Sequence, residues 1–169
     1  MNINTKKNKS FAIVFILVIG FASANASEPP FKVSIIGSAQ ETLGVVNVRA
    51  VPQGVLLLAE FDKLSPGPHA FHIHEFGVCE GSFKSSGGHF NPEGEKHGLL
   101  VQGHAGDMPN IHVGKSGELK VEILNTKVNL LEGDSQSILN RAFIIHEGPD
   151  DYKTQPSGAA GPRIGCGVI

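Results

Sequence analysis

FHIHEFGVCEG, the stretch from Phe71 to Gly81, places two histidines two residues apart in an otherwise apolar run. Side chains at alternate positions of a β-strand point to the same face of the sheet. We therefore expect His72 and His74 to face one way, while Phe71 and Ile73 face a hydrophobic core. Two imidazoles on a rigid strand can meet at one metal ion, although an isolated His-x-His pair is as often an ordinary structural feature.

The sequence around this stretch consists of short strand patterns separated by turns rich in glycine and proline. Alternation of apolar and polar residues with regular turn signals favours an antiparallel β-sandwich or barrel. We find no long amphipathic helix and no internal repeat. Strands are predicted over Phe31–Gly37, Gly44–Ala50, Gly54–Asp62, Glu118–Leu124 and part of Ile138–Glu147, with a turn or loop over Leu64–Ala70.

Two long segments interrupt the strand rhythm. The first loop runs from Gly77 to about Asn110 and is rich in glycine, histidine and proline, and the second runs from Gly148 to Arg163. Loops of this length in a compact domain are uncommon unless they are functional or disordered. The histidines of the first loop favour a functional loop over a disordered one.

The N-terminal residues have the pattern of a secretory signal peptide. Lysines at positions 6, 7 and 9 precede the apolar run Phe11–Phe21, and the small-x-small sequence Ala24–Ala26 follows. This run is short for a membrane span. We expect removal of residues 1–26, which leaves one domain over residues 27–169; the alternative is a retained N-terminal anchor helix.

Charge and cysteine content are consistent with an exported protein. Without residues 1–26 the chain has 11 basic and 16 acidic side chains, a formal charge of −5. This balance argues against nucleic acid or an anionic membrane as a partner. The two cysteines, Cys79 and Cys166, are expected to form a disulfide in an oxidising compartment. The alternative is two unrelated buried thiols.

All eight histidines lie between residues 69 and 146. A glycine-rich segment of nineteen residues holds three of them with an aspartate, and such a set suits a tetrahedral zinc site. Two four-coordinate ions need eight ligands, and one histidine shared through both ring nitrogens makes seven residues sufficient. One zinc site with spare histidines, or an ion with an open position, fits the same count. The candidate ligands are His72, His74, His89, His97, His104, Asp107 and His146.

Several motifs, in the same order, resemble those of copper/zinc superoxide dismutases of the exported bacterial kind. They are AFHIHEFG, GGHFNP, KHG, HAGDMPN, FIIHEGPDDYKTQPSG and GPRIGCGVI. The resemblance covers roughly residues 31–169. It implies an all-β fold, an eight-stranded antiparallel Greek-key β-barrel of immunoglobulin-like sandwich architecture, with the two long loops as functional loops.

By resemblance, the chain is expected to hold one copper and one zinc ion per subunit. His89 would be the shared ligand. Asp150 matches a carboxylate that hydrogen-bonds one ligand of each metal, here His72 and His97, and thereby fixes both rings; the alternative is a solvated loop acid. The implied ligands are His72, His74, His89 and His146 for copper, and His89, His97, His104 and Asp107 for zinc.

The same resemblance implies dismutation of superoxide to O2 and H2O2, an antioxidant activity that uses a redox-active copper. His89 and Arg163 are the expected catalytic residues, because His89 would deliver a proton to the peroxide and Arg163 would attract the anionic substrate. Arg163 lies three residues before Cys166, so the expected disulfide would hold it near the copper ligands. Lys84 and Lys153 are further candidates for steering the anion.

Two other functions fit parts of the sequence. One is a non-catalytic copper/zinc-binding or chaperone-like module on the same barrel, and the other is a disulfide-linked adhesion-type sandwich with an accidental zinc site. The complete ligand set together with Arg163 favours the enzyme. We expect a periplasmic protein with no stable membrane anchor, and a homodimer is the candidate assembly, with the subunit contact left open.

Overall fold

The computed structural model describes residues 1, 30–99 and 102–169 of the chain. Within these ranges the secondary structure comprises nine β-strands and one short 3-10 helix, Lys84–Ser86. The signal peptide expected over residues 1–26 lies, apart from residue 1, outside the described residues. The strands are β1 (Phe31–Gly37), β2 (Thr42–Val51), β3 (Gly54–Phe61), β4 (Gly67–His69), β5 (Phe71–His74), β6 (Ile111–Val113), β7 (Leu119–Asn125), β8 (Ala142–His146) and β9 (Arg163–Val168).

The strands form two antiparallel sheets that are continuous with each other. Seven strands follow the order β5-β8-β9-β1-β2-β3-β7, and β4 pairs with β6. Ala70 alone separates β4 from β5, and it is hydrogen-bonded through its N–H to the carbonyl of Gly148 and through its carbonyl to the N–H of His146, both at 2.9 Å. With β4 and β5 taken as one bent strand, the described residues contain the eight strands expected of the antiparallel barrel, and the predicted fold class is confirmed.

Strand β3 shows how the sequence pattern produces the barrel core. Its side chains alternate, so that Val55, Leu57, Ala59 and Phe61 are buried, while of the three intervening residues two are partly exposed and Glu60 is exposed. Burying each of the larger apolar side chains stabilises the fold by about 1.5–3 kcal/mol relative to leaving it in water. A register slip of one residue would expose this whole set, so the alternation also fixes the strand pairing.

The predicted strands are confirmed with changes at their ends. Strand β2 begins earlier than expected, at Thr42, and β8 begins later, at Ala142. The residues before β8 turn instead of pairing, and Asn140 has a φ of 62° that interrupts an extended chain. The turn or loop predicted over Leu64–Ala70 is wrong in its second half, because Gly67–His69 forms β4 and pairs with β6.

A disulfide joins Cys79 to Cys166, as the sequence predicted. It links the first loop to β9 across 87 positions of sequence. In the chain-entropy account, closing a loop of that length stabilises the folded state by about 4–5 kcal/mol. Cys166 is fully buried in a small apolar cluster with Phe83 and Ile144. The disulfide therefore holds the first loop against the strand that begins with Arg163.

Among the described residues there is no helix with the length and apolar character needed to cross a membrane.

Candidate metal centre

Strand β5 carries the first two residues of the site. All four of its side chains are buried, but they face two different environments. Phe71 and Ile73 belong to the barrel core, whereas His72 and His74 face a group of other histidines. The orientation predicted from the alternation of this stretch is therefore confirmed.

The first loop reaches the site by docking on β5 through backbone hydrogen bonds. Ile73 donates its N–H to the carbonyl of Gly106 at 2.9 Å, and its own carbonyl accepts the N–H of Phe90 at 2.8 Å. Isolated bridges pair His74 with His89 and His72 with Asp107. Two segments distant in sequence are thus laid beside one strand, which brings their metal-ligating side chains together.

Strand β8 supplies a further histidine at its end. Strands β5 and β8 pair with Phe71 opposite Ile145, so His146 projects beside the two histidines of β5. In one group of four buried histidines, one ring nitrogen from each lies within 4.8 Å of all the others. This first cluster consists of His72, His74, His89 and His146.

A second group of four ligand atoms meets the same 4.8 Å criterion and shares His89 with the first. Its only carboxylate comes from Asp107, whose Oδ1 lies 2.7 Å from His89 Nδ1 and whose Oδ2 lies 3.1 Å from His97 Nδ1. Asp107 Oδ2 also accepts the backbone N–H groups of Gly98 and His104, which fix the carboxylate. The second cluster consists of His89, His97, His104 and Asp107.

The hydrogen bonds of the outer ring nitrogens indicate what the inner nitrogens can bind. His74 Nδ1 donates to the carbonyl of Gly87 at 3.1 Å, and His146 Nδ1 donates to that of Gly161 at 3.0 Å. Both acceptors hold the proton on the outer nitrogen, so the inner Nε2 atoms keep free lone pairs.

The inner nitrogens are buried and have no hydrogen-bond partner, which is costly unless another group satisfies them. In the second cluster the inner nitrogens of His97 and His104 lie 3.1 and 3.3 Å from the Asp107 carboxylate without hydrogen-bond geometry. A metal cation bound by neutral imidazoles would satisfy all of these atoms. The donor set therefore fits copper and zinc. The atoms are His72 Nδ1, His74 Nε2, His89 Nε2, His97 Nδ1, His104 Nδ1 and His146 Nε2.

Asp150 connects the two clusters from outside. Its Oδ2 accepts a hydrogen bond from His72 Nε2 and its Oδ1 accepts one from His97 Nε2, each at 2.9 Å. The carboxylate is buried, and although burial opposes ionisation, hydrogen bonds from His72, the Tyr152 backbone and His97 lower its pKa to about 2. An ionised carboxylate in this place fixes the tautomers of one histidine in each cluster.

Burial also keeps three of the clustered imidazoles neutral. Desolvation, partly opposed by the hydrogen bond to Asp107, lowers the pKa of His89 to about 4. Desolvation likewise lowers the pKa of His146 to about 3 and that of His74 well below its usual range. At neutral pH these rings are uncharged, which is the form that binds a metal ion.

A cleft of about 410 Å³ opens onto the clusters, and His74, His89, His146 and Arg163 are among its lining residues. The Arg163 guanidinium donates to the carbonyls of Phe83 and Gly87 at 2.7 Å, so it is held in place at the cleft. Burial lowers the pKa of Arg163 from its ordinary value, but an arginine stays charged at neutral pH.

The remaining histidines and lysines lie outside both clusters. His69 is buried and bonds to the carbonyls of His146 and Ser65, each at 2.8 Å, whereas His112 is exposed on β6. Lys84 and Lys153 are exposed on the first and second loops. Neither lysine lines the cleft, although Lys84 lines a small neighbouring depression that includes Arg163.

A comparison with protein families matches residues 42–169 to the model of the copper/zinc superoxide dismutases. The chain belongs to the copper/zinc superoxide dismutase family. The match spans the barrel from β2 onward together with both clusters.

Individual relatives are bacterial. "Superoxide dismutase [Cu-Zn] 1" of Aquifex aeolicus is 44% identical over 156 residues, 88% of this chain and 92% of that protein. The copper/zinc superoxide dismutase of Caulobacter vibrioides is 42% identical, over 75% of this chain and 77% of that protein. The crystal structure of a SOD-like protein from Bacillus subtilis superposes with a TM-score of 0.77 at 37% identity, covering 82% of this chain and 97% of that one.

Family membership and the two clusters together establish the activity and cofactors. The chain is an oxidoreductase that dismutes superoxide, and its cofactors are one copper and one zinc ion per subunit. The bacterial relatives and the disulfide indicate an exported protein.

Sequence reasoning missed residues that support the site without touching a metal. Gln155 bonds to the backbone of His97, and Asn110 bonds to the backbone of Asp150. A glutamine or asparagine in a loop matches no ligand motif, and its partner is a backbone group far away in sequence. Both residues lie inside motifs that resemble the family, HAGDMPN and FIIHEGPDDYKTQPSG, but the motifs do not indicate which backbone groups they bind.

Proposed function

We propose that copper is held by the first cluster, His72, His74, His89 and His146, and zinc by the second cluster, with His89 shared between them. The observation that carries this assignment is the position of the His89 ring. Its Nδ1 is directed to Asp107 at 2.7 Å, while its Nε2 is unpartnered and belongs with the first cluster. One ring can thus serve both ions, which makes seven residues sufficient for eight ligand positions.

Copper in the first cluster supplies the one-electron redox change that zinc, which has no redox chemistry, cannot supply. Dismutation converts two superoxide anions and two protons into O2 and H2O2. The protein must therefore attract an anion twice and deliver protons at the same place.

Arg163 and His89 are suited to these two tasks. The expected processed chain is net negative, but a charged guanidinium beside a cleft with low-dielectric walls focuses a local positive potential. His89 lines the same cleft, and we infer that its Nε2 holds the proton delivered to the peroxide product. Asp150 keeps the rings of His72 and His97 in the tautomers that metal binding requires.

A non-catalytic metal-binding module is the weaker alternative. Such a protein needs affinity for metal ions but needs neither a cation at the cleft nor access for an anion. Here Arg163 is fixed by three hydrogen bonds, to Phe83, Ser86 and Gly87, beside the unpartnered nitrogens of the first cluster. That arrangement supports an enzyme.

For location we propose export to the periplasm, with residues 1–26 removed and one domain over residues 27–169. The support is the lysine-rich, apolar and small-residue pattern of the N-terminal sequence. N-terminal sequencing of the protein from a periplasmic extract tests this: Ser27 as the first residue is expected, and an intact Met1 on a membrane fraction would indicate an anchor.

For assembly we propose a homodimer. Phe76, Val78 and Val168 are exposed apolar side chains on neighbouring segments, and Gly77 lies against Val168. Sedimentation equilibrium of the processed protein distinguishes a dimer from a monomer.

The metal assignment is tested by loading metal-free protein with both ions and measuring metal content and superoxide removal. One copper, one zinc and full activity per chain are expected. His89→Ala should lose dismutase activity, because the shared ring and its proton are gone. His112→Ala, at an exposed histidine, should retain activity and both ions. Full dismutase activity in His89→Ala would refute the shared-ligand assignment. So would a His89→Ala protein that binds both ions with the same copper spectrum as the wild type.

A further inference from the structure

We propose that Gln155 and Asn110 are positioning residues that hold the second loop, residues 148–162, on the first loop without the help of a metal ion. This inference rests on the proposed ligand assignment, because it concerns how the histidines of the two clusters are kept in place. It goes beyond that assignment in predicting that the cleft stays organised when zinc is absent.

Gln155 makes a two-point contact with the backbone of a second-cluster residue. The N–H of His97 donates to Gln155 Oε1, and Gln155 Nε2 donates to the carbonyl of His97, both at 2.8 Å. A side-chain amide that pairs with both backbone groups of one residue fixes its direction as well as its distance. The contact joins two residues 58 positions apart in sequence.

Asn110 makes an equivalent two-point contact, from the first loop to the backbone of a second-loop residue. The N–H of Asp150 donates to Asn110 Oδ1 at 2.8 Å, and Asn110 Nδ2 donates to the carbonyl of Asp150 at 2.9 Å. The N–H of Asn110 donates to the Tyr152 hydroxyl at 2.8 Å. Asp150 is therefore fixed by its backbone on one side while its carboxylate orients His72 and His97 on the other.

These contacts use neutral amides and backbone groups, so they need neither a metal ion nor a particular charge state. Each reciprocal pair satisfies two backbone groups that a loop would otherwise leave to water. Zinc would be held by first-loop residues alone and would reach the second loop only through the hydrogen bond of His97 to Asp150. The loops should consequently remain joined in zinc-free protein, with zinc acting on a geometry that already exists.

The second loop matters for the reaction because it forms one wall of the cleft. Pro156 and Ser157 directly follow Gln155 and line the cleft with Arg163. Gly161, in the same loop, accepts the hydrogen bond from His146 Nδ1 that fixes this first-cluster ring. A loosened second loop would therefore disturb both the His146 ring and the shape of the cleft.

Hydrogen exchange in metal-free, full-length protein tests the contact directly, because the amide protons of His97 and Asp150 are themselves the donors. Both are expected to be protected in the wild type. Gln155→Met keeps the side-chain length and removes both bonds, so it should speed exchange at His97 by at least about tenfold. Asn110→Leu should do the same at Asp150. Gln53→Met, at an exposed glutamine in the β2–β3 turn, is the matched control and should change neither.

A second readout follows the copper site in zinc-free protein. Addition of Cu(II) to the wild type should give one well-defined electron paramagnetic resonance spectrum, and Gln155→Met should give a broadened or mixed one. Gln155→Glu keeps the acceptor for the His97 N–H and loses the donor, so partial recovery of both protection and spectrum is expected. If Gln155→Met does not fold, Gln155→Glu provides the same test.

The inference is overturned if His97 and Asp150 exchange as fast in metal-free wild type as in the variants, since the two side-chain amides would then not hold the loop in the absence of a metal ion. It is also overturned if the variants exchange as slowly as the wild type. A protein without dismutase activity whose amides behave as expected would instead refute the proposed function and leave the contacts standing. The two failures are therefore distinguishable.

Discussion

Six imidazoles lie close to one another in the two clusters, and their spacing makes positive charge on neighbouring rings unfavourable. The rings of His72 and His89 have centroids 4.0 Å apart, and those of His89 and His97 are 5.3 Å apart. Two cations at such distances in a buried site would repel strongly. Burial lowers the pKa of His89 to about 4, which removes this repulsion and leaves lone pairs for metal ions.

Arg163 provides the test of substrate attraction at the level of one residue. Arg163→Ala should lower the rate of superoxide removal several-fold at low salt and flatten its dependence on ionic strength, because the local attraction for the anion is lost. Pulse radiolysis over a range of salt concentrations measures both effects. Arg163→Lys separates charge from anchoring, because it keeps the charge and loses the fork that bonds to Phe83 and Gly87.

The matched control for Arg163 is Arg49→Ala, at an exposed arginine on β2, which should leave the rate unchanged. An Arg163→Ala enzyme as fast as the wild type at low salt would exclude Arg163 from substrate attraction.

The two groups of candidate ligands were predictable from the sequence, and the residues that position them were only partly so. The alternation of β5 predicted the direction of His72 and His74, and the spacing within the first loop predicted a cluster around Asp107. Asp150 was reached through motif resemblance alone. Gln155 acts on the backbone of a residue far away in sequence, and this kind of contact depends on the folded path of both loops.

At the level of the strand, β4 shows where local pattern misleads. Its sequence, Gly67-Pro68-His69, has the composition of a turn, and proline is excluded from the interior of most sheets because it lacks an N–H. Pro68 is tolerated because β4 pairs only with the three-residue strand β6, opposite His112. The composition of Gly67–His69 does favour a turn, but its pairing with β6 in the folded protein makes it a strand.

The docking of the first loop on β5 depends on a glycine. A Cβ at Gly106 would lie 3.0 Å from the backbone nitrogen of Phe90 and would overlap the carbonyl oxygen of Ile73, and neither backbone atom can move aside easily. Gly106→Ala should therefore lift Asp107 from its place, lower zinc affinity and reduce the free energy of unfolding by about 1–3 kcal/mol. Zinc titration and urea unfolding measure these changes.

Gly114→Ala is the control for this substitution, because a Cβ there would make ordinary contacts at 3.8 Å or more. It should behave as the wild type in both measurements. Equal zinc affinity in the two variants would show that the close backbone approach at Gly106 does not position the cluster.

Across the described residues, the proposed ligands come from strands β5 and β8 and from the first loop of the barrel. The disulfide ties that loop to β9. Short strands with period-two alternation predicted an antiparallel barrel, but the bend at Ala70 between β4 and β5 could not be predicted. The Ala70 N–H donates to the carbonyl of Gly148, and its carbonyl accepts the N–H of His146; both partners lie more than seventy positions away.

Placing several neutral histidines inside one barrel also determines how the metal-free molecule responds to acid. In the unfolded chain a histidine has its ordinary pKa of 6.5, whereas in the fold the pKa of His89 is about 4 and that of His146 about 3. Between these values the unfolded state binds more protons than the folded state. The free energy of unfolding must therefore fall as the pH falls through this window.

Metal-free protein should accordingly lose stability between pH 6.5 and about 4, by up to about 1.4 kcal/mol per pH unit for each of His89 and His146. Urea unfolding at successive pH values in the presence of a chelator measures this slope. His146→Gln removes one titrating ring and should reduce the slope by about that amount, whereas His112→Gln, at an exposed ring, should leave it unchanged. A pH-independent free energy of unfolding over this range would mean that the buried imidazoles take up protons as readily in the fold as in the unfolded chain, and that the barrel does not keep them neutral for metal binding.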